Sequence, residues 1–267
     1  MLKRILIAIP ALILLFAVIY LHGLYAKLVV ITAGLLCVHE MMRAESGIAK
    51  PLRPIGYAYA VLLFPAYQFA GGFTGVIGLL ALCIMAIFVV LVILGRDARD
   101  GLVTALPMIY PGLFFAFLLA IVCIPKVSIS QFLMIIAFGS AVMTDTFAYF
   151  GGKSFGKHKL VPAISPKKTV EGAVAGTIFG TGTVFALGVL FQNSFGVWIN
   201  PLWYVLLGLV LSVLTQIGDL AASLIKRRLC IKDYGHIMGE HGGALDRLDS
   251  VIFICPVVFA FYYIIAA

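Results

Sequence analysis

Two short stretches of this chain hold most of the side chains that could do chemistry. The first runs Ser223-Leu-Ile-Lys226-Arg227-Arg228, then Lys232-Asp233, then His241-Gly242-Gly243, and closes with Asp246-Arg247-Leu248-Asp249. Asp246 and Asp249 are three residues apart, a spacing that puts both carboxylates on one face of a helix. Such oxygen donors hold Mg²⁺, and their charge is favoured at a helix N-terminus. Gly242 and Gly243 would let backbone N–H groups approach a phosphate. Lys226, Arg227 and Arg228 offer cations to polyphosphate oxygens. Taken alone, that basic triplet is better explained as an anchor at a membrane surface.

The second stretch reads Ser165-Pro166-Lys167-Lys168-Thr169-Val170-Glu171-Gly172. Thr169 is placed to cap a helix that starts at Val170, with Glu171 in its first turn. Ser165, Lys167 and Lys168 around that helix start would make an anion site. The plain alternative, a capped and anchored helix, explains Thr169 and Glu171 well and the paired lysines less well. Asp145, Glu171 and Asp219 lie inside apolar runs, where ionisable groups are costly and point to function. Asp145 and Asp219 fall at similar distances from the ends of their runs, and Asp249 just precedes another run. These three acids are expected to meet in one pocket near a membrane surface; the alternative is that each pairs with an arginine. Familiar nucleotide motifs fail. Gly152-Lys153-Ser154 has Phe147 where a P-loop needs its first glycine, and Gly180-Thr181-Gly182 has Phe185 where a dinucleotide fingerprint needs its third.

The elements that must position these groups follow from composition. Of the 267 residues, 63% are hydrophobic and 11% charged, against roughly 25% charged in a soluble domain. A soluble core of this size could not hide that much apolar surface, and disorder is excluded by the same numbers. Nine apolar runs are expected to span a bilayer: 5–21, 24–42, 55–70, 73–94, 102–124, 129–150, 170–191, 202–222 and 251–267. Continuous runs specify helices rather than barrel strands. The fold class is therefore all-α, a polytopic integral membrane protein. Residues 1–128 carry the first five helices, and 129–267 carry the last four with the catalytic residues, within one integrated membrane domain. The basic N-terminus followed by an apolar run mimics a signal peptide without a cleavage site, so it reads as a retained first helix.

With the N-terminus in the cytoplasm, seventeen of the nineteen lysines and arginines fall on the cytoplasmic side; Lys27 and Lys126 fall outside. All eleven acids lie on the cytoplasmic side too, an asymmetry that topology rules do not require. The net charge of +8 is thus a cytoplasmic property, suited to anionic lipid or nucleotide. Gly172, Gly176 and Gly180 form a small-x-x-x-small stripe, which specifies close helix packing or a homodimer. Pro107 and Pro111 should kink the fifth helix. The five cysteines match no disulfide or zinc pattern.

The run from Ser223 to Asp249 resembles the signature of the phosphatidate cytidylyltransferase (CDP-diacylglycerol synthase) family. Ser223, Ile225, Lys226, Arg227, Lys232, Asp233, Gly235, Gly239, His241, Gly242, Gly243, Asp246, Arg247, Leu248 and Asp249 all match it. Met238 and Ala244 are small departures that keep an apolar residue. Ser165–Gly172 resembles the family's upstream motif, and Asp219 stands where the family has an acid. The resemblance implies that CTP and phosphatidate in the bilayer give CDP-diacylglycerol and pyrophosphate, with no nucleic acid involved. It implies Mg²⁺ on Asp219, Asp246 and Asp249, with Asp145 for a second cation or a structural pair. Lys167, Lys226 and Arg227 would neutralise phosphate, and His241 with its glycines would shape the phosphate pocket. Catalysis is assigned to Asp219, Asp246, Lys226 and Lys167. Substrate contact is assigned to Ser165, Lys167, Lys168, Thr169, Glu171, Ser223, Lys226, Arg227, His241, Gly242, Gly243 and Arg247. The compact chain points to a bacterial cytoplasmic membrane with the site facing the cytoplasm. Two other readings stay open: a CTP-dependent transferase for another phosphorylated lipid, and a membrane transporter.

Overall fold

The computed structural model describes residues 13, 14, 16–237, 239 and 242–266. Lys3, Arg4, Met238, His241 and most of the expected first span lie outside these residues. Among the described residues, seven helices are long and apolar enough to cross a membrane. The chain is an all-α polytopic membrane protein with one small β-ribbon, and it divides into two compact units.

The first unit holds residues 1–123 and 228–248. Its helices are α1 (Gly23–Glu45), α2 (Arg53–Phe69), α3 (Phe73–Leu94), α4 (Ala98–Pro107) and α5 (Phe114–Val122). In α3 the buried residues are Val76, Cys83, Ile87 and Leu91, one narrow stripe at helical spacing. The rest of its surface is exposed and apolar, including Phe88, Val92 and Ile93. Water would not tolerate so large an apolar face, whereas lipid does. Helices α4 and α5 form one bent span joined by a π-helical turn, Met108–Leu113. Tyr110 there has extended backbone (φ −127°, ψ 115°) just before Pro111, so the kink expected from Pro107 and Pro111 is present. Asp97 caps α4 by accepting from the Arg99 amide at 2.7 Å. Asp100 accepts from the Lys50 amide and from Arg96 Nε, both at 2.8 Å. The third expected run emerges as α2, a 17-residue helix.

The second unit holds residues 124–227 and 249–267. Helix α6 (Val127–Phe155) is followed by strands β1 (Lys159–Val161) and β2 (Ser165–Thr169), then α7 (Val170–Phe195) and α8 (Leu202–Arg228). Helix α9 (Leu245–Ala266) enters this unit at Asp249. The buried residues of α7 are Gly172, Gly176, Gly180, Val184 and Gly188, a ridge at four-residue spacing. A Cβ on Gly176 would lie 2.8 Å from the Thr144 carbonyl oxygen of α6, and one on Gly188 would strike the Tyr204 ring of α8. The glycine stripe is therefore consumed by packing inside the chain. Of the two expectations for this stripe, close helix packing is the one observed. Gln216 ties α8 to α7 by donating to Thr177 Oγ1 at 3.0 Å and to the Ala173 carbonyl at 3.3 Å.

The five cysteines are all free.

Candidate active site

Helix α6 runs to Phe155, five residues beyond the expected end. Asp145 thus lies ten residues before the end of α6, and Asp219 nine residues before the end of α8, roughly 14–15 Å in each case. Gly218 brings α8 onto α9: a Cβ there would sit 2.6 Å from Phe253 Cβ and 3.2 Å from the Asp249 carbonyl oxygen. Asp145, Asp219 and Asp249 consequently lie close enough to feel one another's charge. The three acids expected to meet are thus electrostatic neighbours within the second unit, but among the described residues they do not converge as a metal-ligating group.

Basic and hydroxyl groups balance this cluster. Lys168 Nζ pairs with Asp219 Oδ2 at 2.7 Å. Lys226, on α8 and half-buried, is near enough to act electrostatically on Asp249. Ser223 Oγ is a long 3.5 Å from Asp219 Oδ1. The Ser250 amide donates to Asp249 Oδ1 at 2.7 Å, and Asp145 acts electrostatically on Asp249. Asp249 itself is buried. A carboxylate in that setting needs a cation or donors to remain charged.

The upstream motif forms a β-ribbon that the sequence did not suggest. Strands β1 and β2 pair antiparallel, with Lys159 opposite Thr169 and Val161 opposite Ser165. Successive residues on a strand face opposite ways. Lys168 therefore turns in to Asp219 while Lys167 is exposed. Thr169 caps α7 as expected, accepting from the Gly172 amide at 3.2 Å. Glu171 holds the base of the ribbon, taking the His158 amide at 3.2 Å and meeting His158 Nδ1 at 2.6 Å. Arg227 Nε donates to the Ile164 carbonyl at the ribbon's turn, 3.3 Å away.

The signature loop belongs to the first unit. Asp246 Oδ2 accepts the amides of Tyr234 at 2.8 Å and Gly243 at 3.0 Å. The Gly242 amide bonds the Gly239 carbonyl at 3.3 Å, and Gly242 has a positive φ of 83°, which favours glycine. The two glycine amides expected to cradle a phosphate are thus donated within the chain. Arg247 is exposed on the first turn of α9. Among the described residues, no three His, Cys, Asp or Glu side chains converge as a metal-ligating cluster. The four-carboxylate set of Asp145, Asp219, Asp246 and Asp249 is therefore not assembled as a ready cage. The physical reason is visible in two of its members: Asp246 spends one oxygen on two amides, and Asp219 is paired with Lys168.

The family model for the cytidylyltransferases matches residues 2–265. The chain belongs to the cytidylyltransferase family. It is 42% identical over 164 residues to a phosphatidate cytidylyltransferase of Aquifex aeolicus (strain VF5), covering 60% of this chain and 55% of the relative. It is 45% identical over 116 residues to one of Bacillus subtilis (strain 168), covering 43% and 42%. A third, from Staphylococcus aureus (strain COL), is 44% identical over 118 residues, 43% of each chain. The chain thus spans about half the length, or less, of the curated relatives it matches.

For this cytidylyltransferase family member, the structure adds residues that the motifs did not name. Ser250 hydrogen-bonds Asp249 through its amide at 2.7 Å, and its only sequence signal is adjacency to Asp249. Glu40 of α1 is 2% exposed and accepts the amides of Ala244 at 3.0 Å and Leu245 at 2.9 Å. No local pattern around Glu40 marks that role, because its partners lie 204 and 205 residues away.

Proposed function

We propose that this protein transfers the cytidylyl group of CTP to phosphatidate, forming CDP-diacylglycerol and pyrophosphate. The observation that carries this reading is the Asp145, Asp219 and Asp249 cluster, paired with Lys168, in a membrane protein of the cytidylyltransferase family. The site would face the cytoplasm at a bacterial inner membrane, as the distribution of lysine and arginine supports. A phosphate monoester is largely dianionic at neutral pH, so the lipid phosphate needs no strong base to attack the α-phosphorus of CTP. A new P–O bond forms there, and the bond to the β-phosphate oxygen breaks as pyrophosphate leaves. The protein's task becomes positioning and charge neutralisation.

Mg²⁺ is commonly held by one or two carboxylates, with substrate phosphates and water completing its shell. Asp219 and Asp249 fit that requirement as two hard-oxygen donors within electrostatic reach of each other. They would hold the ion, which supplies positive charge to the CTP phosphates. Lys168 neutralises Asp219 until a polyanion arrives, then is free to bond phosphate oxygens. Lys226 and the exposed Lys167 offer further cations to pyrophosphate or lipid phosphate. Asp145 would take a second cation or a structural pair beside Asp249. Arg227 and Glu171 fix the ribbon that presents the two lysines.

The test is to incubate purified protein with labelled CTP, Mg²⁺ and phosphatidate, and separately with other phosphorylated lipids. Labelled CDP-diacylglycerol that disappears with chelator supports the reading. Transfer only to another lipid replaces the acceptor, and no transfer by folded protein to any lipid overturns the reading.

A further inference from the structure

Helix α9 begins without a cap of its own. The residue before it is Ala244, whose carbonyl accepts the first helical bonds from Arg247 at 3.1 Å and Leu248 at 3.2 Å. Its methyl side chain has no acceptor for the free amides at the helix start. Those amides are met from α1. Glu40 takes the Ala244 amide on Oε1 and the Leu245 amide on Oε2, one bond per oxygen. Consecutive amides at a helix start form a concavity that attracts an anion. Here the anion is a side chain of the same protein.

The loop before α9 is shaped to receive that carboxylate. A Cβ on Gly235 or on Gly243 would strike the Glu40 carboxylate oxygens. The Gly243 amide goes to Asp246 Oδ2, which also takes the Tyr234 amide. Two carboxylates therefore anchor three consecutive amides, 243 to 245, and Asp246 additionally closes the loop back onto Tyr234. Glu40 and Asp246 thus hold adjacent amides at the start of α9. Charge-assisted bonds to amides are the strong kind, and they offset the burial of a carboxylate at 2% exposure.

We infer that Glu40 is a positioning residue of the transferase site, acting through the Ala244–Leu245 start of α9, the helix that carries Asp249. This rests on the reading of the protein as a CTP-dependent transferase. Glu40 is distant in sequence from both motifs, and nothing in their spacing assigns it.

The experiment uses the full chain in lipid nanodiscs, as wild type, Glu40→Gln and Glu40→Asp. Gln keeps the shape but sets an NH₂ against an amide N–H. The expected result is a KM for CTP raised about tenfold or more in Glu40→Gln, the scale of one lost charge-assisted bond. The KM for phosphatidate stays unchanged, and Glu40→Asp recovers part of the CTP affinity. An unchanged KM for CTP overturns the inference even if kcat falls, because loss of folded protein lowers kcat alone. Hydrogen exchange at the Ala244 and Leu245 amides is read on the same samples. Slow exchange in wild type that accelerates in Glu40→Gln supports the inference, and fast exchange already in wild type overturns it, including where a variant fails to accumulate. No product from wild-type protein overturns the transferase reading itself, and the exchange data then still report whether the cap exists.

Discussion

Replacing Gly172 by alanine tests whether the glycine stripe of α7 sets the geometry of the site. A Cβ at Gly172 would lie 2.5 Å from the Ala148 carbonyl oxygen and 3.0 Å from both the Cα and the N of Gly152. Relaxed contacts between such atoms begin near 3.5 Å, so α6 and α7 must part by about 1 Å. All three opposing atoms are backbone, and no rotamer change relieves them. Helix α6 carries Asp145, and the ribbon leading into α7 carries Lys168 against Asp219. A shift of about 1 Å in a catalytic arrangement can cost about a hundredfold in rate, and overpacking costs about 1–3 kcal/mol of stability. Gly182 on the same helix is the control, since a Cβ there meets nothing within 4 Å. Gly182→Ala removes a mid-helix glycine and should be neutral or stabilising by up to about 1 kcal/mol. Both variants would be reconstituted at equal protein amounts, then compared by thermal midpoint and by cytidylyl transfer. Wild-type activity and stability in Gly172→Ala, or equal behaviour of the two variants, would refute the packing argument.

Lys168→Met leaves Asp219 unpaired; the half-exposed pair should change stability by only about 1 kcal/mol or less, while kcat/KM for CTP falls about tenfold or more, measured on one preparation. Asp249→Asn keeps the volume of a buried side chain but removes its charge; transfer should drop at least about a hundredfold with membrane insertion retained, and a Mg²⁺ titration that matches wild type would remove Asp249 from the metal role. Glu171→Gln weakens the hold on His158 and removes the favourable charge at the start of α7; hydrogen exchange at the His158 amide should quicken, and unchanged exchange would show that the ribbon is held elsewhere.

Features written in local sequence were legible. The bounds of α3, Phe73–Leu94, were readable to the residue, because Gly72 and Gly95 flank an unbroken apolar run. Thr169 announced its own cap, and Pro111 announced the bend beside Tyr110. Ends of helices that carry polar residues were less clear. Helix α6 continues through Gly151-Gly152-Lys153 to Phe155, where hydropathy alone had stopped at Phe150. The ribbon was hidden for a related reason. Its second strand is Ser-Pro-Lys-Lys-Thr, whose composition has little β preference, and its pairing is only with the three-residue strand β1 across a short turn. Yet that ribbon explains the paired lysines: alternation sends Lys168 to Asp219 and leaves Lys167 outward.

The clustering of the eleven acids beside the basic loops had no cause in sequence, and for five of them the structure supplies one. Asp97 caps α4, Asp100 takes the Lys50 amide, Glu171 takes the His158 amide, Asp246 takes two loop amides, and Glu40 caps α9 from a distance. These five acids satisfy backbone donors at the ends of elements, where helices and loops leave amides without partners. Their placement follows from where the irregular backbone lies, and each would be conspicuous in sequence without touching a substrate. Asp145, Asp219 and Asp249 are different. The described partners of Asp219 are a serine hydroxyl and a lysine, and the amide on Asp249 comes from its immediate neighbour Ser250. Serine and lysine can re-aim by a side-chain rotation when a ligand enters, whereas an amide at a helix start cannot. A carboxylate group that binds and releases a metal–nucleotide complex in each turnover needs partners of that adjustable kind. The sequence resemblance placed Asp246 and Asp219 together, as expected Mg²⁺ ligands. Their partners separate them: Asp246 is held by two loop amides, whereas Asp219 pairs with a lysine.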